Sequence, residues 1–69
     1  MYRIEVNCEW RSEFGGEEGY MYYFIVWNEE DVIVFENDWT YGRPYESDVN
    51  HFMEAYFPGV DFIVEGMDN

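Results

Sequence analysis

Residues 2–10 alternate without a break: Tyr2, Ile4, Val6, Cys8 and Trp10 are apolar, and Arg3, Glu5, Asn7 and Glu9 between them are polar. A period of two sustained over this length fits a β-strand with one buried face and does not fit a helix. It commits the N-terminal end of the chain to a sheet. Tyr20 to Trp27 is a continuous apolar run, the pattern of a strand covered on both faces. Asn28-Glu29-Glu30-Asp31 reads as a turn, and residues 32–36, rich in β-branched side chains, as a third strand. Residues 11–19 carry Gly15, Gly16 and Gly19 with little apolar content and read as a loop. Short connections make the three strands an antiparallel meander.

The period then changes. Val49, Phe52, Met53, Tyr56 and Phe57 fall at i, i+3, i+4, i+7 and i+8, which predicts an amphipathic helix over about 48–57. Ser47 is the expected N-cap, Glu46 and Asp48 suit the positive end of the helix dipole, and Pro58-Gly59 ends the helix. Val60, Phe62 and Val64 alternate with Asp61, Ile63 and Glu65 in a last strand, 60–65, and residues 66–69 read as a tail. The expected fold is a single α+β domain over residues 1–69. Its order is βββαβ, with a mainly antiparallel four-stranded sheet and one helix on one face. The last strand returns parallel to the first or the third, and the pattern does not choose between them. The helix should cover Ile4, Val6, Cys8, Phe62 and Val64. The opposite face then carries Arg3, Glu5, Glu9, Asp61 and Glu65 beside one row of the second strand. That row is either Tyr20, Tyr22, Phe24 and Val26 or Met21, Tyr23, Ile25 and Trp27.

A chain of 69 residues has room for one small core. Its aromatic fraction of 23% offsets the small size and argues against disorder, because large rings bury much area per residue. The charge is less ordinary. Sixteen Asp and Glu face three Arg (Arg3, Arg11 and Arg43) and no Lys, for a formal net charge of −13. A small soluble domain needs a net charge of only about 2–8, and more acts against compaction. One cysteine excludes an internal disulfide, and no basic-then-apolar leader opens the sequence. The longest apolar run falls far short of the ~20 residues that span a bilayer. Anionic lipid and nucleic acid would both repel such a surface. A cytoplasmic protein that touches neither is expected.

Catalytic patterns are missing. His51 falls on the solvent side of the predicted helix, and Ser47, His51 and Asp48 lack the geometry of a triad. Cys8 lies on the face expected to be buried and has no basic neighbour to activate it. The clusters Glu17-Glu18, Glu29-Glu30-Asp31 and Glu36-Asn37-Asp38 lack calcium-loop spacing. Gly15-Gly16 lacks the Lys and the strand–helix context of a phosphate cradle. No enzyme, cofactor or metal site is expected.

Binding remains. Trp39, Tyr41, Arg43 and Tyr45 are residue types enriched at interface hot spots, or else rings that fold back to enlarge the core. The expected partner-binding residues are Glu5, Glu9, Glu17, Glu18, Glu29, Glu30, Asp31, Glu36, Asp38, Trp39, Tyr41, Asp61 and Glu65. In size, acidity and lack of disulfides the chain resembles the small acidic phage-encoded inhibitors, the anti-CRISPR and anti-restriction DNA mimics, although that class shares no motif. The resemblance implies a basic nucleic-acid-binding partner, a CRISPR effector or restriction-type enzyme, met in the cytoplasm of an infected bacterium. The alternatives are a small phage structural or assembly protein, or a homodimer, using the aromatic sheet face. A third is halophilic adaptation, in which acidity only solvates the fold. The chain is expected to be a monomer or a homodimer.

Overall fold

A computed structural model describes residues 1–14 and 17–67. The alternating N-terminal segment is β1, Tyr2–Phe14, and it pairs antiparallel with β2, Glu17–Trp27. At about 3.3 Å per residue, strands of this length form a ribbon roughly 40 Å long. The ribbon sets the long axis of a molecule measuring 40 × 22 × 20 Å. The sheet continues with β3, Ile33–Glu36, and a two-residue β4, Thr40–Tyr41, both antiparallel to β2. After α1, Glu46–Tyr56, the last strand β5, Phe62–Glu65, lies parallel to β1. The order across the sheet is β3-β2-β1-β5, with β4 also on β2.

The α+β class and the single helix match expectation, while the sheet has five strands rather than four, because the short β4 joins β2; β5 on β1 is the parallel pairing that makes it mixed. The first strand is the parallel neighbour of the last. Residues 11–19 are not a loop: apart from Gly15 and Gly16, which lie outside the described residues, they extend the β1–β2 ribbon. The reason is that this part of the ribbon has no core beneath it. Ladder pairing carries the strands there, and Ser12, Glu18 and Gly19 show none of the alternation that betrays a buried strand.

The core lies between α1 and one sheet face. Ile4 and Val6 of β1, Phe24 and Val26 of β2, and Val49 and Met53 of α1 form its buried cluster. Burying such side chains contributes about 1.5–3 kcal/mol each. Phe52 sits at the centre of a ring cluster, 5.2 Å from Phe24, 4.9 Å from Phe35 and 4.8 Å from Tyr56 between centroids. The helix begins two residues before the expected position. Tyr45 is its N-cap, and the carboxylate of Asp48 reaches back to accept the Tyr45 N–H at 2.8 Å. The oxygen that closes the first turn therefore comes from the third helical residue, and Ser47 lies inside the helix.

An eleven-residue helix is about 16 Å long and covers less than half of the ribbon. Cys8 lies beyond its reach and is exposed, not buried. Trp10 and Tyr20 also stand clear and pack on each other edge to face at 5.1 Å. The C-terminal residues before Asp68 are not a loose tail either, since Met67 packs against the core cluster. Asp68 and Asn69 lie outside the described residues.

Between β3 and β4 the sheet lacks a strand partner for one buried residue. The Phe24 N–H instead donates to the side-chain oxygen Oδ1 of Asn37 at 2.8 Å. Asn37→Ala leaves that donor unsatisfied and should cost about 1–3 kcal/mol in urea unfolding. Asn37→Asp keeps the acceptor and should recover most of the loss. Equal destabilisation by both variants would show that the bond contributes nothing.

Candidate partner-binding surface

The sheet face away from α1 is where the strand register assembles side chains from distant parts of the sequence. Of the two rows offered by β2, the one on this face is Met21, Tyr23, Ile25 and Trp27, because Phe24 and Val26 enter the core. Ile25 stands opposite Glu36 on one side and Glu5 on the other, and Glu5 stands beside Glu65. A single row thus runs Glu36, Ile25, Glu5, Glu65 across β3, β2, β1 and β5. Strands about 4.8 Å apart give it a length of roughly 14 Å. The adjacent row is Ile33, Trp27, Arg3, Ile63. Three carboxylates around an isoleucine lie directly beside a mainly apolar row.

Few contacts neutralise this face. Glu65 pairs with Arg3 Nε at 3.2 Å, both side chains being substantially exposed. Such a pair contributes about 0–1 kcal/mol and serves more to orient the groups than to stabilise the sheet. Glu5 accepts a hydrogen bond from Asn7 Nδ2 at 2.8 Å, and Glu36 is exposed. The three guanidiniums all lie over rings: Arg3 over Trp27 at 4.4 Å, Arg11 over Trp39 at 4.7 Å, and Arg43 over Tyr20 at 5.0 Å. Cation–π contacts of this kind hold the cation over the ring by attraction to its quadrupole.

The other acidic groups fall at separate places. Glu29, Glu30 and Asp31 are exposed in the turn between β2 and β3, at the Trp27 end of the ribbon. Asn28 holds that turn: its Oδ1 accepts the N–H groups of Glu30 and Val32, and its own N–H donates to the Val32 carbonyl. Asp31 there takes a left-handed conformation, φ 60°, which Asp tolerates better than most residues. Glu17 and Glu18 begin β2, at the far end of the ribbon from that turn, about 30 Å away. Glu9 is exposed opposite Met21, Asp38 is exposed between β3 and β4, and Asp61 is exposed just before β5. Among the described residues no three His, Cys, Asp or Glu side chains gather in a way that would hold a metal ion.

The connecting segment 37–45 divides its aromatic residues. Trp39 folds back over the open face, edge to face with Tyr23 at 4.5 Å, and is half-buried. Tyr41 and Tyr45 stay exposed. A cleft of ≈ 290 Å³ lies on the helix side of the ribbon, lined by Val6, Cys8, Tyr20, Arg43, Pro44, Gly66 and Met67. Its lining carries one thiol, one phenol and one guanidinium, and no carboxylate or imidazole side chain. His51 is exposed on α1, as its helical position suggested. Among the described residues no helix is long and apolar enough to cross a membrane.

Sequence reasoning selected Glu5, Glu36 and Glu65 without placing them in one row. It offered Ile25 and Trp27 in one of two possible rows beside Glu5 and Glu65, but brought neither Glu36 nor Ile33 to this face. The missing signal was the pairing register, since composition marks a residue as acidic but only the ladder sets what stands beside it. Comparison with known protein families, curated proteins and solved structures finds no match for this chain.

Proposed function

We propose that this chain is an acidic binding protein that inhibits a nucleic-acid-handling partner by occupying its basic DNA- or RNA-binding surface. The observation that carries this reading is the Glu36–Ile25–Glu5–Glu65 row beside Ile33, Trp27, Arg3 and Ile63. Rows of lysine and arginine that hold a nucleic acid backbone present the complementary charge. The carboxylates steer the encounter, and the apolar row slows release once the surfaces meet. A net charge of −13 without any lysine extends the attraction beyond the row. The reading agrees with the resemblance to phage-encoded anti-CRISPR and anti-restriction proteins, which places the partner among CRISPR effectors or restriction-type enzymes in a bacterial cytoplasm. No catalytic role is assigned to the chain.

The test is a salt-graded affinity capture from a bacterial host lysate, followed by competition with duplex DNA. The expected partner binds nucleic acid, is displaced by DNA, and is lost steeply between about 50 and 500 mM salt. The triple variant Glu5→Gln, Glu36→Gln, Glu65→Gln should bind it at least about tenfold more weakly while folding normally. Undiminished binding by that variant, or a partner that ignores DNA, overturns the reading. Ile63, exposed at 48%, favours a second reading, in which the chain dimerises or assembles through its open sheet face. A dimer insensitive to salt in light scattering would select it.

A further inference from the structure

We infer that the outer edge of β3 is a docking edge that accepts an extended β-strand from a basic partner. β3 is the last strand on its side of the sheet, and its inner edge is taken by β2. An edge strand turns alternate N–H and C=O groups outward, where they template pairing with another chain. Proteins blunt such an edge with lysine, proline, a covering segment, a bulge or a very short strand. Here the strand has four residues and a register shift at Val34, but Val32, Ile33 and Val34 follow one another with exposures of 51%, 49% and 40%, and neither lysine nor proline interrupts them.

The contrast with the same edge of the sheet further along β2 is informative. There the Asn37 side chain receives the Phe24 N–H, β4 pairs with Met21 and Tyr22, and the Gly42 N–H donates to the Tyr20 carbonyl at 2.8 Å. The chain covers that stretch of edge residue by residue and leaves β3 without such a cover among the described residues.

Charge selects the occupant. Glu29, Glu30 and Asp31 precede the strand, and Glu36 and Asp38 end and follow it. In an antiparallel pair of two β3 strands, the acidic turn of one copy would face Glu36 and Asp38 of the other. A parallel pair would set every carboxylate beside its own equivalent. Like charges placed opposite each other destabilise a ladder, so a second copy is disfavoured. A strand carrying Lys or Arg at alternate positions meets the opposite situation. It would also extend the acidic row, because Glu36 is both the end of that row and a residue of β3. The main chain would supply affinity, and alternate side chains would supply selectivity. This inference rests on the proposed function in one respect, that the partner is basic.

The probe is a synthetic peptide alternating Lys and Val, titrated into the isotope-labelled protein by NMR. Saturable shifts and slowed hydrogen exchange confined to residues 32–36 are expected. The same peptide N-methylated at every residue keeps its charge, loses the main-chain donors of both edges, and should bind at least about tenfold more weakly. Val34→Lys should weaken binding by a similar factor, about tenfold, whereas Asn50→Lys, an equal charge change at an exposed residue of α1, should have little effect. Equal binding of the methylated peptide would reduce the effect to bulk charge and remove the docking edge, leaving the proposed function in place. Shifts away from 32–36, or a homodimer that moves the same amides, would also overturn it. Docking of the peptide at β3 while the lysate capture finds no nucleic-acid-binding partner would sink the proposed function and keep the edge.

Discussion

Gly66→Ala should leave little folded protein at room temperature. Gly66 follows β5 with φ +84°, a conformation that costs an L-residue about 1–2 kcal/mol. A β-carbon added there would also collide with the Val6 carbonyl oxygen, far inside contact distance. That oxygen belongs to the backbone of β1, so no side-chain rotation relieves the clash. The chain after Glu65 would have to lift away from β1, taking Val64 and Met67 from the edge of the core. Together these losses reach about 4 kcal/mol or more. A domain of this size has a total stability of about 3–10 kcal/mol. Gly59 provides the control, because its φ is +79° but nothing lies within 4 Å of an added β-carbon. Gly59→Ala should cost only the conformational part, about 1–2 kcal/mol. Circular dichroism of Gly66→Ala without denaturant and the urea midpoint of Gly59→Ala measure the difference, and a Gly66→Ala that is folded with the midpoint of Gly59→Ala would show that Gly66 does not approach Val6 this closely.

Phe52→Ala is the second large effect expected, about 3–5 kcal/mol. The ring is only half-buried, yet it joins three elements, and Phe35 with Tyr56 at 6.0 Å is a second, longer ring contact between β3 and α1. It touches Phe24 of β2, Phe35 of β3, and Tyr56 and Phe57 at the end of α1. Aromatic pairs contribute about 0.5–1.5 kcal/mol each beyond the area they bury. Phe52→Leu restores volume without the ring geometry and should recover roughly half of the loss. The damage should not be uniform. Phe35 is the residue through which β3 meets the helix, so amide exchange in β3 should accelerate more than in β1. Since Glu36 ends the acidic row on β3, partner binding should weaken further than stability alone requires. A variant with uniform exchange across the sheet would show that β3 is held by its pairing with β2 and not by the rings.

Several elements were legible in the sequence because a core lies beneath them. The alternation of Tyr2, Ile4 and Val6 and the i, i+3, i+4 spacing of Val49, Phe52 and Met53 reflect burial on one side, and Pro58-Gly59 stops the helix locally. Where no core exists, the pattern fades. Ser12 and Gly19 are in strands without any apolar requirement, and the two residues of β4 are too few to show a period. The exposure of Cys8 and Trp10 was hidden for a related reason. Alternation states that one face is apolar, but whether the helix is long enough to cover it depends on geometry across the sheet. The choice of β1 as partner for β5 was equally out of reach, because both candidate neighbours offer the same kind of edge. At the candidate surface the acidic residues were visible, and their grouping was not. Glu17 and Glu18 resemble Glu29 and Glu30 in composition but sit at opposite ends of the ribbon.

The acidic row has one more property. Glu5, Glu36 and Glu65 come from the beginning, middle and end of the chain and meet only through three strand pairings. A slip of one residue in any of those pairings would carry its glutamate to the helix side, since side chains alternate between faces. The surface is therefore a discontinuous epitope. No linear fragment contains it, and a partly folded chain presents the same total charge without the arrangement. Charge alone brings the protein near a basic surface, but the ordered row exists only after the last strand has found the first.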